Sequence, residues 1–473
     1  MTHRLIDRSG RELARMIRGR EVSAREVVAA HLDQIEAVNP DINAIVSLRS
    51  REAVLADADK ADADTADADT ADAGNPLGPL HGLPVAVKDL EDVAGLPTRA
   101  GSLVTSDRPA KADGFIAARL RAAGAIIVGK TNTPEFGTGS HTFNKVFGLT
   151  RNPWNLKRSA GGSSGGAAAA LASRMLPIAD GSDFGGSLRN PAGFCNVVGL
   201  RPGIGRVPSP VEHSTHLVRL GVNGPMARTA DDTALLLSVL GEPDSRDPLS
   251  SPLDPAFTAP LVPAENVRIG WAGDCGEFLV EPEVLDICRS GASHIESHGG
   301  SVVDVEVDLG HAMTVFRVLR GLQYRRLGSL VPRERWPEMK ETIVTNIEYG
   351  ISLDLEDVLE AERLRAVLHR EMVRCFEHVD VIALPTAQVA PFPAEWEYPT
   401  EIAGQPMADY LEWMTACCVI TPTGCPALSV PAGFTGDGLP VGLQLVAPIG
   451  QEHHLLRVGA AIEASNPLHL RVP

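Results

Sequence analysis

The sequence predicts an α/β fold with a mixed, largely parallel central sheet that helices cover on both faces. The main observation is that short apolar runs of strand-like composition alternate with helical segments. The runs occupy residues 84–87, 125–128, 381–384 and 443–446, and a predicted helix at 114–123 leads into the second run. The second observation is size, because 473 residues with 44% hydrophobic content can bury a large core without disulfides or metals.

The first 75 residues are predicted to form a helical cover, followed by one compact unit over residues 76–473. Amphipathic patterns predict helices at 11–18 and 23–37, the second beginning with a capping box between Ser23 and Glu26. Residues 57–74 repeat aspartate and alanine with a period of five, which fits neither a helix nor a strand. Seven aspartates in this segment repel one another, so we predict a solvated helix or a loose linker.

The charge balance disfavours nucleic acid and membrane partners. The chain has 43 Lys and Arg against 60 Asp and Glu, and the resulting net charge of −17 repels phosphate backbones and anionic lipids. No apolar run approaches the roughly 20 residues that a membrane span needs. The polar N-terminus lacks the apolar segment of a signal peptide, so a cytoplasmic location is expected.

Cysteine and histidine spacing gives no metal-binding pattern. The seven cysteines are scattered without a Cys-x-x-Cys motif and are expected to be reduced, mostly buried thiols. His453 and His454 are adjacent but have no third ligand at zinc-binding spacing. We therefore expect no metal and no other cofactor.

Two Gly/Ser-rich segments are candidates for chemistry. Residues 158–166 lead into an Ala-rich helix predicted at 167–175, and taken alone they favour a tight helix start. Gly161 to Gly165 also fits the G-x-S-x-G nucleophile elbow. The elbow requires a strand immediately before it, whereas residues 154–158 are polar and follow a proline, so this alternative is disfavoured.

The second segment, residues 180–191, contains Gly185 and Gly186. A sharp turn there lets the N–H groups from Phe184 to Ser187 converge beside the Ser187 hydroxyl, which is the geometry of an oxyanion hole next to a nucleophile. The alternative is a glycine bulge between two strands.

Lys88 is the third candidate. Only seven lysines occur against thirty-six arginines, and Lys88 ends the apolar run 84–87. It could form a structural ion pair with Asp89 or Asp92. The functional alternative is a desolvated amine that is neutral enough to act as a base, which an arginine cannot do.

Together these segments resemble the amidase signature family of serine hydrolases, and the resemblance covers nearly the whole chain. The matching motifs are residues 82–89, 129–136, 144–148, 161–166, 181–191, 424–434 and 438–444.

The resemblance implies a Ser/cis-Ser/Lys triad on the amidase signature fold. Ser187 would be the nucleophile, Ser163 the bridging hydroxyl and Lys88 the base. The oxyanion would be bound by the backbone N–H groups of Phe184, Gly185 and Gly186. Four further residues would support the site, with Asp183 and Arg189 paired to brace the loop: Ser182, Asp183, Arg189 and Ser164.

This sequence departs from the family pattern in the oxyanion loop. Phe184 stands where a smaller or β-branched residue is common, and Ser182 replaces a frequent threonine, so the pocket is expected to be reshaped. Apolar segments predict a pocket for a small apolar or aromatic amide, although the same side chains would equally suit the core. The candidate pocket residues are Phe143, Gly139, Ser140, Trp413 and Cys417.

The leading hypothesis is a stand-alone amide hydrolase that forms an acyl-enzyme on Ser187. Its binding partner would be a small-molecule amide, and formation of a homodimer is compatible with this hypothesis. The alternative is the amidase subunit of a tRNA-dependent amidotransferase, which the negative charge disfavours. A catalytically inactive binding protein is disfavoured because all three triad positions are intact.

Overall fold

The computed structural model describes residues 4–67, 77–210 and 219–473. Thirteen α-helices lie in these ranges. They are α1 (Gly10–Arg18), α2 (Ala24–Ile42), α3 (Arg51–Asp67), α4 (Phe115–Ala122), α5 (Gly165–Ala172), α6 (Arg189–Cys195), α7 (Ala230–Leu240), α8 (Pro282–Ser293), α9 (Ala312–Leu330), α10 (Glu341–Ser352), α11 (Leu355–Phe376), α12 (Thr415–Cys418) and α13 (Glu452–Ser465).

The same ranges contain sixteen strands, several only two residues long. They are β1 (Pro84–Lys88), β2 (Ile126–Thr131), β3 (Phe143–Asn144), β4 (Gly148–Leu149), β5 (Arg151–Asn152), β6 (Asn155–Ser159), β7 (Ile178–Asp183), β8 (Val198–Arg201), β9 (Val222–Ala227), β10 (Arg268–Trp271), β11 (Ser301–Asp304), β12 (Val381–Pro385), β13 (Glu401–Ile402), β14 (Gln405–Pro406), β15 (Ala427–Phe434) and β16 (Pro440–Val446). Each of the four predicted apolar runs overlaps a strand, and the helix predicted at 114–123 is α4.

Eight strands form the central sheet in the order β11-β10-β12-β16-β15-β8-β9-β7. The α/β class and the mixed sheet are confirmed, but the expectation of a largely parallel sheet is wrong. In the described residues β10 pairs in parallel with β11 and β12, whereas the other five pairings are antiparallel. One physical reason is that β15 and β16 are joined by a short turn, which reverses the chain direction and makes this pair antiparallel. A separate parallel pair is formed by β1 and β2.

Helices cover both faces of this sheet, as predicted. Successive residues of a strand point to opposite faces. In β12, Val381 and Ala383 join one hydrophobic cluster, which contains side chains of α1, α2, α5, α7 and α13. Ile382 and Leu384 join the other cluster, which contains side chains of α9, α11 and α12.

The N-terminal helices pack on the sheet as part of the first cluster. Ser23 and Glu26 form the predicted capping box at the start of α2. Helix α3 (Arg51–Asp67) includes the first part of the Ala/Asp repeat, which is therefore helical. The rest of the repeat and the expected boundary after residue 75 lie outside the described residues. Leu13 and Val27 share a cluster with Val85 and Ile178, which joins the cover to β1 and β7.

The catalytic candidates lie where elements end. Lys88 is the last residue of β1, and the loop after β7 leads through Ser187 to α6. Ser163 lies just before α5. Among the helices described, none has the length and apolar character to cross a bilayer.

Candidate active site

Lys88 is fully buried and bound by hydroxyl groups rather than by a carboxylate. Its Nζ lies 2.8 Å from Ser163 Oγ, 2.9 Å from Ser164 Oγ and 3.0 Å from Ser182 Oγ. The alternative of an ion pair with Asp89 is wrong, because Asp89 pairs with Lys130 at 2.8 Å and both side chains are buried. The backbone N–H of Lys88 donates to Asp180 Oδ1 at 3.1 Å, which ties β1 to β7.

This environment favours a neutral amine. Burial lowers the pKa of Lys88 to about 7, although the carboxylates of Asp180, Asp183 and Glu91 act in the opposite direction. A large fraction of the amine is therefore unprotonated near neutral pH. A neutral lysine 2.8 Å from a hydroxyl has the geometry of a general base.

Ser163 lies in a glycine loop that only small residues can form. The peptide bond between Gly162 and Ser163 is cis, as expected from the resemblance. A Cβ on Gly162 would lie 2.9 Å from the backbone nitrogen of His141. Gly161 has φ +73° and packs against Pro191. The two glycines thus let the Ser163 loop approach two other backbone segments closely.

The local chain corrects one expectation about this loop. Residues 154–158 were expected not to form a strand, yet Asn155–Ser159 is β6, which pairs with β5 outside the central sheet. Residues 160–164 separate β6 from α5. Ser163 therefore does not stand at a sharp strand-to-helix turn, and the nucleophile elbow stays disfavoured.

Asp183 braces the loop that carries Ser187. Its carboxylate accepts the N–H groups of Gly186 at 2.9 Å and Leu188 at 3.1 Å, and it forms an ion pair with Arg189 at 2.9 Å. Arg201, which the sequence analysis did not single out, donates to the Asp183 carbonyl at 2.7 Å. Burial alone would raise the pKa of Asp183, but the two arginines hold it well below its usual range.

The geometry changes the expected oxyanion donors. Gly186 was expected to offer its N–H to the oxyanion, but that N–H is already bound to Asp183. Within the described chain, the N–H groups of Phe184, Gly185 and Ser187 donate to no protein acceptor. We therefore assign the candidate oxyanion donors to these three residues instead.

A cavity of about 1240 Å³ brings the candidates together. Ser163, Ser182 and Ser187 lie on its wall with Phe184. The Phe184 ring packs edge-on against Phe316 of α9, with the ring centroids 5.7 Å apart. Both serines of the predicted triad and an apolar side chain thus face one space. In the described part of the chain, no three His, Cys, Asp or Glu side chains are grouped to hold a metal ion.

The predicted pocket residues do not line this cavity. Trp413 is buried in the core, where its ring packs against Phe392. Buried Ser140 and Cys417 hold Asn190, one accepting its amide N–H and the other donating to its amide oxygen. Aromatic and small residues suit a core as well as a pocket, and in this structure the predicted pocket residues lie in the core or in loops. The five residues that this corrects are Phe143, Gly139, Ser140, Trp413 and Cys417.

Two polar residues of the cavity wall were missed. Glu91 and Asn223 lie 132 positions apart in the sequence, and the Asn223 amide donates to Glu91 Oε1 at 3.2 Å. The sequence signal for Glu91 was a carboxylate three residues after Lys88, just after the end of an apolar run. No local signal pointed to Asn223.

Comparison with known proteins identifies the family. The family model described as Amidase matches residues 26–456. The chain belongs to the amidase signature family. Similar solved structures include a bacterial aryl acylamidase of that family, with a TM-score of 0.88 and 27% identity, covering 98% of this chain and 96% of that chain. This amidase is thus an amide-cleaving hydrolase.

Two kinds of curated relative are similar to this amidase over almost their full length. An acylamidase from Rhodococcus erythropolis is 34% identical over 468 residues, which cover 97% of this chain and 95% of the relative. A glutamyl-tRNA(Gln) amidotransferase subunit from Corynebacterium glutamicum is 34% identical over 502 residues, which cover 97% of each chain. Overall identity therefore does not separate the two activities.

Proposed function

We propose that this protein is a stand-alone amidase that cleaves a small amide through an acyl-enzyme on Ser187. The observation that carries the proposal is the buried Lys88 amine, which lies 2.8 Å from Ser163 Oγ, while Ser163 and Ser187 face the same cavity. Because burial lowers the pKa of Lys88 to about 7, the relay has an acceptor for a proton near neutral pH.

In the proposed reaction, neutral Lys88 takes the proton of Ser163 as Ser163 takes that of Ser187. Ser187 Oγ then forms a bond to the amide carbon, and the carbonyl oxygen becomes an oxyanion held by the free N–H groups of the loop. When the C–N bond breaks, the proton returns through Ser163 to the leaving nitrogen, because an amine anion leaves poorly. Water, activated by the same relay, hydrolyses the ester and releases the carboxylic acid.

The proposed substrate is a small amide with an apolar or aromatic body. Support comes from the wall of the cavity, where Leu90, Phe136 and Phe184 lie around the serines. The similarity to an acylamidase and to an aryl acylamidase supports the same class.

The proposal includes a reducing, cytoplasmic location and no obligatory protein partner. All seven cysteines are free thiols in the structure, which is usual in reducing compartments. The similarity to amidotransferase subunits supports the alternative that ammonia released here passes to a partner. The net charge of −17 favours the stand-alone enzyme over one that meets tRNA.

Mass spectrometry of the trapped acyl-enzyme tests the proposal. The purified enzyme is mixed with a panel of anilides, aliphatic amides and glutamine, and the modified serine is mapped. We expect label on Ser187 and none in Ser187→Ala, whose fold should be intact because the change removes one hydroxyl from the cavity wall and no core volume. Ser209→Ala, on the same cavity wall but without a contact to Lys88, is the matched control and should still be labelled at Ser187.

Label on another serine would overturn the assignment of Ser187. Release of ammonia from glutamine, without turnover of any other amide, would instead favour the amidotransferase alternative.

A further inference from the structure

Glu91 is a carboxyl group of the active-site cavity that the proposed reaction does not use. It lies three residues after Lys88, and its backbone N–H donates to the Lys88 carbonyl at 3.0 Å. Its side chain lies on the cavity wall with Asn223, whose amide donates to Oε1 at 3.2 Å. That neutral amide is the one side-chain partner of this carboxyl in the described chain.

Two other carboxylates of the cavity wall form ion pairs with arginines. Asp113 pairs with Arg121 at 2.8 Å, and Asp244 pairs with Arg246 at 2.7 Å. Within the described residues, no arginine, lysine or histidine lies at ion-pair distance from Glu91. In the part of the chain that the structure describes, Glu91 and Asp92 are thus the cavity-wall carboxyl groups that no cation neutralises, and Asp92 already accepts the Thr98 hydroxyl at 2.6 Å.

The surroundings of Glu91 make this unpaired state costly. Burial, followed by the charge of Asp180, raises the pKa of Glu91 to about 7, while the Asn223 amide and the more distant Lys130 act in the opposite direction. Asp92 adds a further negative charge on the same loop. A cation brought next to Glu91 would relieve this repulsion and gain a charge-assisted hydrogen bond.

We propose that Glu91, oriented by Asn223, binds an ammonium group or another N–H donor of the substrate. The substrate class would then be amides whose apolar body carries a basic amine within the length of the cavity from the scissile bond. This inference deepens the proposed function and rests on it. Glu91 would determine which amides are bound. It would not change the proton transfer among Lys88, Ser163 and Ser187, which is the same for every amide.

Two isosteric substrate pairs test the inference on either side of the amide. On the acyl side, para-(aminomethyl)benzanilide is compared with para-ethylbenzanilide. On the amine side, the benzoyl amides of para-(aminomethyl)aniline and para-ethylaniline are compared. We expect the enzyme to prefer the ammonium member of one pair in kcat/KM, and Glu91→Gln to reduce that preference by about tenfold or more.

The preference is measured as the ratio of kcat/KM for the ammonium substrate to kcat/KM for its ethyl counterpart. Changes that affect both substrates equally therefore cancel. Loss of the Glu91 charge also changes the pKa of Lys88, but it does so for both members of a pair. Asp92→Asn is the matched control, because it removes one negative charge from the same loop. The Asp92 carboxylate already accepts the Thr98 hydroxyl, so we do not expect it to bind the substrate ammonium. We expect the ratio in Asp92→Asn to stay close to that of the parent.

A second measurement needs no variant. Benzylammonium should inhibit hydrolysis of benzanilide competitively and far better than benzyl alcohol. If neither pair shows a preference, if Glu91→Gln keeps the full preference, or if Asp92→Asn loses it equally, the inference is overturned. Equal inhibition by the alcohol would also overturn it. Failure of the proposed function gives a different result, because then no amide acylates Ser187 in the parent enzyme.

Discussion

Protonation of Lys88 is the perturbation that we expect to control the rate. With a pKa of about 7, the amine is mostly neutral at pH 8 and mostly charged at pH 6. If only the neutral amine supports reaction, kcat/KM should fall about tenfold from pH 8 to 6 and about ninetyfold from pH 8 to 5. Above pH 8 the rate should level off, because little charged lysine remains. An unperturbed lysine would instead keep the rate rising beyond pH 10.

The assay is kcat/KM for benzanilide, whose charge does not change over this range. Lys88→Arg and Lys88→Ala should both be inactive, since a guanidinium keeps its proton at any working pH. Glu91 titrates in the same window, so Glu91→Gln serves as a control for its contribution. Because the Glu91 carboxylate raises the pKa of Lys88, this variant should move the midpoint of the profile to lower pH.

A profile that is flat from acid to alkali would refute the role of Lys88 as the base. A midpoint near the ordinary lysine value would refute the desolvation argument while leaving the residue in place. Activity in Lys88→Arg equal to that of the parent would contradict both.

Three further predictions follow from single contacts. Ser163→Ala should keep a small part of the activity, because a trapped water could link Lys88 to the nucleophile; a rate equal to the parent's would exclude the relay. Phe184→Thr should widen the range of acyl groups accepted, and an unchanged order of kcat/KM across a graded acyl series would contradict its place beside the scissile carbonyl. Burial raises the pKa of Glu463 to about 8. The folded state thus binds more protons than the unfolded state from about pH 4.5 to 8, so stability should fall with rising pH there by up to about 1.4 kcal/mol per pH unit. In Glu463→Gln, whose amide oxygen can still accept the Ala230 N–H, urea denaturation at pH 5 and 8 should show this slope reduced; an unchanged slope would place the titration elsewhere.

The positions of the main strands were predictable because a buried strand is a short apolar run, but their directions were not. Strand direction depends on which strands become neighbours, and that is decided by contacts distant in sequence. The hairpin of β15 and β16 enters between β12 and β8 and takes part in three of the five antiparallel pairings of the central sheet.

The close approach of Lys88 and Ser163 could be predicted only through the resemblance to the amidase signature family, because each segment taken alone also suited a structural role. The residues that line the cavity could not be predicted from the sequence. Trp413 shows why, because an aromatic side chain has the same composition signal in a core as in a pocket. The unpaired state of Glu91 is visible only when the partners of every neighbouring charge are known.

The order of the strands in the sheet bears on how the chain is made. β15 and β16 follow β8 and β12 in the chain and leave the ribosome after them, yet they occupy the middle of the sheet between β12 and β8. Until residue 446 has emerged, β12 and β8 each lack their inner neighbour and expose unpaired backbone and apolar side chains. We therefore expect a chain that lacks β15 and β16 to present two separate half-sheets whose unpaired edges favour aggregation. Helix α13 is not dispensable either, because its residues Leu455 and Ile462 belong to the core cluster beneath the joined strands.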